Sequence, residues 1–278
     1  MSQPPALRIP LRTIIALILV LLFAFIVRSY LQLELRALGY VAGHAKDLSY
    51  LMVSPVLVLM LLPIFRHDKD FMRQLLRRSQ LKVRLVLSAV ALGVLMRLIW
   101  WSQLIARTSF GLARNHDPDA VVGPAFSFAC PPPQVIGLGL LVMVLLVPVI
   151  EEVLHRGILQ SAFVHKGRTA AILLSATIFT LFHPPTSYAF VFVMGIVFGL
   201  QYWNTHSLWA STITHATYNG LIQLDWRCLR GAWNPPEKEL PFLIPGSVAL
   251  GVLLTASACA IWLLTQESAG ATSTPRHP

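Results

Sequence analysis

Three pairs of residues with chemically capable side chains lie inside apolar stretches of this chain, each with the four-residue spacing of one helical turn. The pairs are Glu152 with Arg156, Phe179 with His183, and His215 with Asn219, and Glu151 directly precedes the first pair. Residues four apart project from one face of a helix, so the members of each pair should lie side by side. A carboxylate within hydrocarbon costs free energy, and such a residue therefore indicates a functional site by default.

These side chains together could hydrolyse an amide bond. A carboxylate can accept a proton from water, an imidazole can orient or activate that water, and the Asn219 amide can donate to a developing oxyanion. The adjacent acids Glu151 and Glu152 point about 100° apart on a helix, so they cannot share one role. Because Arg156 falls one turn from Glu152, Glu151 is the freer acid and the candidate base.

The composition places these residues in a membrane. Of 278 residues, 55% are hydrophobic and only 12% are charged, and the mean hydropathy is +0.65. A bilayer is crossed only by helices or closed barrels, and the apolar runs here are continuous rather than alternating. The sequence therefore predicts an all-α fold, a polytopic transmembrane helical bundle in a lipid bilayer. The formal charge of +10 lies beside the apolar runs, which favours contact with anionic lipid and no binding of nucleic acid.

The apolar runs predict about eight spans of roughly 20 residues each. We place them near 13–33, 48–65, 85–106, 135–163, 169–183, 187–203, 207–223 and 242–264. The first run is expected to be a retained span, because no small-residue cleavage site precedes Arg28. We expect one transmembrane domain over residues 1–265 and a polar, disordered tail over 266–278.

The basic segment 66–84 predicts the orientation. It carries seven Lys or Arg residues against two Asp residues. This excess predicts that the segment, and with it both termini, lies on the cytoplasmic side of an inner cell membrane. Phe71, Met72, Leu75 and Leu76 share one face of this segment. They predict an amphipathic helix lying on the membrane surface, although an ordinary stop-transfer loop fits the same sequence.

The cysteines do not define a disulfide framework. Cys130 and Cys228 fall in two predicted outward loops, where they could pair, and Cys259 falls in the last span.

The motifs, in their order, resemble a known family. Residues 151–156 match EExxxR, residues 179–183 match FxxxH, and residues 215–219 match HxxxN. On successive apolar helices, this series resembles the CPBP family, also called CAAX protease/Abi, of intramembrane glutamic endopeptidases related to the eukaryotic CAAX prenyl endopeptidase. The resemblance covers about residues 135–225, which we take as the expected catalytic core.

The resemblance implies a role for each catalytic position. Glu151 would activate the water as general base, with His183 as its partner in holding that water. His215 and Asn219 would stabilise the oxyanion. The substrate would be a membrane-tethered peptide or protein, cut near its end, and no cofactor or metal would be required.

Supporting residues are also implied, and simpler roles remain open for several residues. Arg156 would pair with Glu152, and Phe179 would line the cavity or act only in packing. Intramembrane His and Asn residues also commonly join helices by hydrogen bonds. His155, one turn from Glu151, could tune the site or be a spectator at the helix edge.

Three other functional classes are alternatives to a glutamic peptidase. Glu152 and His155 form a Glu-x-x-His pair, but a di-iron bundle needs two copies, and the zinc motif HExxH is absent from the sequence. A non-catalytic immunity or scaffold protein of the same fold is the main alternative to an enzyme. A transporter would be expected to show internal symmetry or paired broken helices, and the sequence shows neither.

Overall fold

The structure, a computed structural model, describes residues 4–7, 9–76, 82–114, 133–223 and 243–272. All regular secondary structure in these ranges is helical, which confirms the predicted all-α class. The helices are α1 (Leu11–Ala37), α2 (Ala42–His67), α3 (Lys69–Leu75), α4 (Val83–Arg114), α5 (133–160), α6 (Arg168–Leu181), α7 (Tyr188–Thr205), α8 (Leu208–Gln223) and α9 (Leu243–Thr272).

Six of the described helices are long and apolar enough to cross a membrane, namely α1, α2, α4, α5, α7 and α9. The other two predicted spans coincide with α6 and α8. These helices have 14 and 16 residues, fewer than the roughly 20 that a bilayer requires. The protein is therefore a multi-pass membrane protein, but the count of about eight spans is not confirmed.

Helix α5 changes its winding three times. It is α-helical over Pro133–Leu140 and Val147–Glu152, and π-helical over Leu141–Leu146 and Val153–Gln160. Pro148 follows the first π segment, and proline cannot donate the usual i→i−4 hydrogen bond. π-Helical turns of this kind occur frequently at functional sites. The Glu151–Glu152 pair lies on the α-helical turn between the two π segments.

Two glycines on α7 bring three helices close together. Gly195 and Gly199 are four residues apart, a spacing that lets helices approach in membranes. A Cβ atom on Gly195 would lie 2.9 Å from the Ala176 Cβ of α6. Because no side chain covers them, the backbone carbonyls of these glycines accept hydrogen bonds from α5. Arg156 Nη2 lies 3.1 Å from Gly195 O, and Gln160 Nε2 lies 3.0 Å from Gly199 O.

Helix α3 corrects one prediction about the basic segment. Its N-terminus is capped by Asp68, whose Oδ1 accepts from the Phe71 amide at 2.9 Å. Phe71, Met72 and Leu75 are buried in the same core cluster as α5, and a Cβ atom on Gly157 would lie 2.7 Å from Leu75 Cδ2. The apolar face of α3 therefore packs on the protein and not on a membrane surface. Gly157 allows this packing because it has no side chain at the point where Leu75 meets α5.

Two further predictions concern the C-terminal segment and the cysteines. Helix α9 continues to Thr272, beyond the predicted start of the tail, and residues 273–278 lie outside the described part. Cys130 and Cys228 also lie outside the described residues. Cys259 is a free, exposed thiol.

Candidate active site

Glu152 lies between two cationic or potentially cationic side chains. Its Oε2 atom is 3.3 Å from Arg156 Nε, and both side chains are 0% exposed. Its Oε1 atom is 3.1 Å from His215 Nδ1. This carboxylate thus joins α5 to α8 and forms with Arg156 the ion pair that the resemblance implies.

Arg156 is enclosed by aromatic rings. Its guanidinium carbon lies 4.7 Å from the centre of the Phe179 ring and 5.3 Å from that of Phe198. Together with the bond to Gly195 O, these cation–π contacts compensate for removing the charge from water. Phe179 therefore packs against the ion pair from α6.

His215 is held in one orientation by Glu152 and Phe198. Its ring stacks on Phe198 with a centroid distance of 5.0 Å and an interplanar angle of 20°. An ionised carboxylate only accepts hydrogen bonds, so Nδ1 carries the proton that points at Glu152. The second nitrogen, Nε2, then faces Glu151, whose Oε2 atom is 3.9 Å away.

Glu151 differs from Glu152 in its access to a cavity. Its side chain is 18% exposed, and it lines a pocket of about 580 Å³, measured to include its open mouth, between α1, α2 and α5. Glu151 thus has access to this pocket, whereas Glu152 is buried in the ion pair with Arg156.

His183 is hydrogen-bonded to the backbone of its own segment. Its Nδ1 atom is 2.9 Å from Phe179 O, one turn back along the chain, and its ring centre is 4.7 Å from that of Phe179. Among the described residues, no hydrogen bond or ion pair joins His183 to Glu151. The His215 imidazole lies 3.9 Å from Glu151.

Asn219 is bonded to the first π segment of α5. Its Nδ2 atom donates to Met143 O at 2.9 Å. Because a side-chain amide has two N–H donors, one donor remains for another acceptor. The acceptor is the backbone carbonyl of Met143, so no side-chain pattern in the sequence indicates this bond.

His155 lies in the wall of the pocket beside Glu151 and not at an exposed helix edge. It is 3% exposed, and its ring packs edge-on against Phe179 at a centroid distance of 5.0 Å. Its Nδ1 atom has no hydrogen-bond partner among the described residues.

The pocket also includes residues from helices that carry no recognised motif. Arg28 of α1 and Tyr50 of α2 line it together with Glu151. The sequence indicates such a role for Arg28 only through its position, since an arginine next to an apolar run is unusual in a membrane span. In the described ranges, no three His, Cys, Asp or Glu side chains are grouped so that they could hold one metal ion.

Comparison with known proteins agrees with the motifs. Residues 133–221 match the family model of Rce1-like type II CAAX prenyl endopeptidases, and this segment contains all three motifs. No curated protein and no solved structure matches the chain. The segment that carries Glu151, His183 and His215 thus matches the CAAX protease (CPBP) family that its motifs resemble.

Proposed function

We propose that this protein is a CAAX-protease-type intramembrane endopeptidase, which uses a glutamate-activated water to hydrolyse a peptide bond near the end of a membrane-tethered protein. The observation that carries the proposal is the placement of Glu151. Its carboxylate faces both an open pocket and His215 Nε2, at 3.9 Å from the latter. A separation above 3.5 Å between two polar groups leaves room for a bridging water.

Glu151 acts in this mechanism as the general base. It takes a proton from the bound water while the water oxygen forms a bond to the substrate carbonyl carbon. The same proton then passes to the leaving nitrogen as the carbon–nitrogen bond breaks. Protons therefore balance over the cycle, and the carboxylate returns to its ionised form.

His215 and Asn219 stabilise the oxyanion of the tetrahedral intermediate. Glu152 holds His215 through Nδ1, so Nε2 stays near the reacting atoms. When Nε2 carries a proton, it can donate a hydrogen bond to the developing charge. Asn219 contributes the amide hydrogen that Met143 O does not use.

His183 assists Glu151 through the water, by way of the ring nitrogen that Phe179 O does not contact. Glu152 and Arg156 support the site by orienting His215 and the α5 helix. The Phe179 ring packs against the Arg156 guanidinium. The catalytic core is expected over about residues 135–225, within a domain over residues 1–265 in an inner cell membrane with both termini in the cytoplasm. No metal takes part in this mechanism.

The test uses purified protein in lipid vesicles with two membrane-anchored peptides. One carries a prenylated Cys followed by three residues, and the other carries an apolar helix followed by a short C-terminal tail. Mass spectrometry should find one cut near the end of at least one peptide. Glu151→Gln should abolish the cut, whereas Glu34→Gln, an exposed acid on α1, should leave it unchanged. If the wild type cleaves neither peptide, nor any membrane protein of its host, the non-catalytic alternative is favoured.

A further inference from the structure

Arg28 places a positive charge inside the first predicted membrane span. It lies in α1, which runs Leu11–Ala37. At about 1.5 Å per residue, Arg28 is about 26 Å along the helix from Leu11 and about 14 Å from Ala37. The span is among those apolar and long enough to cross a bilayer. A guanidinium in that position is costly, and such residues are usually retained for function.

The surroundings of Arg28 stabilise the charge without neutralising it. Its guanidinium carbon lies 4.3 Å from the Tyr50 ring centre and 4.9 Å from that of Phe25. Its Nε atom is buried and has no hydrogen-bond partner among the described residues. No ion pair in the described ranges includes Arg28. Arg156, the other arginine near the site, has Glu152 as a partner.

Arg28 and Glu151 line the same pocket from different helices. Most other lining side chains are apolar, including Leu21, Val53 and Ile150. The pocket therefore combines a carboxylate that can act as a base, an arginine without an acidic partner, and apolar walls.

We propose that Arg28 binds the C-terminal carboxylate of the substrate, and so acts as a specificity-determining residue. The proposal rests on the proposed function. A guanidinium pairs with a carboxylate through two parallel hydrogen bonds, which lysine cannot do. The position of Arg28 in the same pocket as Glu151 favours a peptide terminus over a lipid headgroup, since the peptide is what Glu151 would cleave.

This binding would also determine which bond is cut. A terminal carboxylate held by Arg28 is kept apart from the negative charge of Glu151, and the preceding residues extend along the apolar walls toward the base. The bond presented to Glu151 is then internal and close to the C-terminus. Arg28 would thus make the enzyme recognise the end of a chain whatever its sequence.

The first experiment compares matched peptides that end in a free carboxylate or in an amide. The probe is the anchored peptide that wild-type protein cleaves, made in both forms. A charge-assisted contact of this kind should give the carboxylate form an advantage of about 10- to 100-fold in kcat/KM. Arg28→Gln should reduce this ratio to near one, and Arg28→Lys should give an intermediate ratio. Arg36→Gln, an exposed arginine on the same helix, should keep the wild-type ratio.

Three results would overturn the proposal: equal cleavage of both forms by wild type, an unchanged ratio in Arg28→Gln, or an equal loss on both forms in that variant. An Arg28-dependent inhibition by phosphatidylglycerol vesicles without discrimination between the peptides would assign the site to lipid phosphate, and would equally overturn it. None of these results would contradict the proposed protease function.

A binding experiment separates failure of this proposal from failure of the proposed function. The two peptides, fluorescently labelled, are titrated into vesicles that contain Glu151→Gln protein with or without Arg28→Gln. Tighter binding of the carboxylate form that requires Arg28 supports the subsite even if the wild type hydrolyses neither peptide. Equal affinities for both forms would reject the subsite even if the protein is a protease.

Discussion

Glu152 Oε1 and His215 Nδ1 lie 3.1 Å apart, although 63 positions separate the two residues in the chain. This contact means that the second acid of the EExxxR motif reaches the histidine of the HxxxN motif. The other carboxylate oxygen of Glu152, Oε2, lies 3.3 Å from Arg156 Nε. Glu152 thus orients the imidazole and leaves Glu151 as the acid with access to the pocket.

Glu151→Gln should reduce cleavage by at least about 10²–10⁴-fold, the usual contribution of a general base. Glutamine keeps the volume and a hydrogen-bonding group, so insertion and folding should be normal. Single-turnover cleavage and the unfolding midpoint of the purified variant measure the two effects separately. Wild-type protein treated with strong chelators should remain active. Loss of activity on chelation with recovery in Zn²⁺ or Fe²⁺ would contradict the glutamic mechanism.

Glu152→Gln should damage stability as well as activity. Removing one partner of a buried ion pair leaves the other charge uncompensated, at a cost of about 3–5 kcal/mol. Arg156→Met should cost a similar amount. The double variant should be less destabilised than the two single effects added together, and denaturant unfolding in detergent would measure this coupling. Strict additivity would show that the 3.3 Å contact contributes little.

Asn219→Ala distinguishes an oxyanion donor from a bond that only joins helices. As an oxyanion donor, Asn219 should contribute about 10²–10³-fold to kcat. Its bond to Met143 O should contribute about 1 kcal/mol to unfolding. Parallel measurements of kcat and of the unfolding free energy decide between the roles, because a variant with lowered stability and normal kcat would leave Asn219 a purely structural residue.

Gly157→Ala should disturb the packing of α3 against α5. The added Cβ atom would lie 2.7 Å from Leu75 Cδ2, and overpacking of this kind typically costs about 1–3 kcal/mol. Leu75→Ala should relieve the clash in the double variant. Gly137→Ala is the matched control on α5, because nothing lies within 4 Å of a Cβ atom there. It should be neutral or stabilising, and an equal effect at both glycines would exclude the packing explanation.

The sequence by itself determined the class of protein and the approximate positions of the helices, and it indicated the candidate residues for chemistry. Hydropathy over about 20 residues predicts a span, because a bilayer imposes that length on any apolar helix. The four-residue spacing from Glu152 to Arg156 predicts their contact, because both residues are on one helix. These are local relationships, and local relationships can be read along a chain.

Only the tertiary structure decided how the helices face one another. Contacts between helices depend on rotation and axial register, which no local pattern specifies, so the approach of His215 to both acids was not predicted. The same reason explains the bond from Asn219 to Met143 O and the burial of the apolar face of α3. Arg28 joins the pocket for this reason too, since α1 carries no motif that relates it to Glu151.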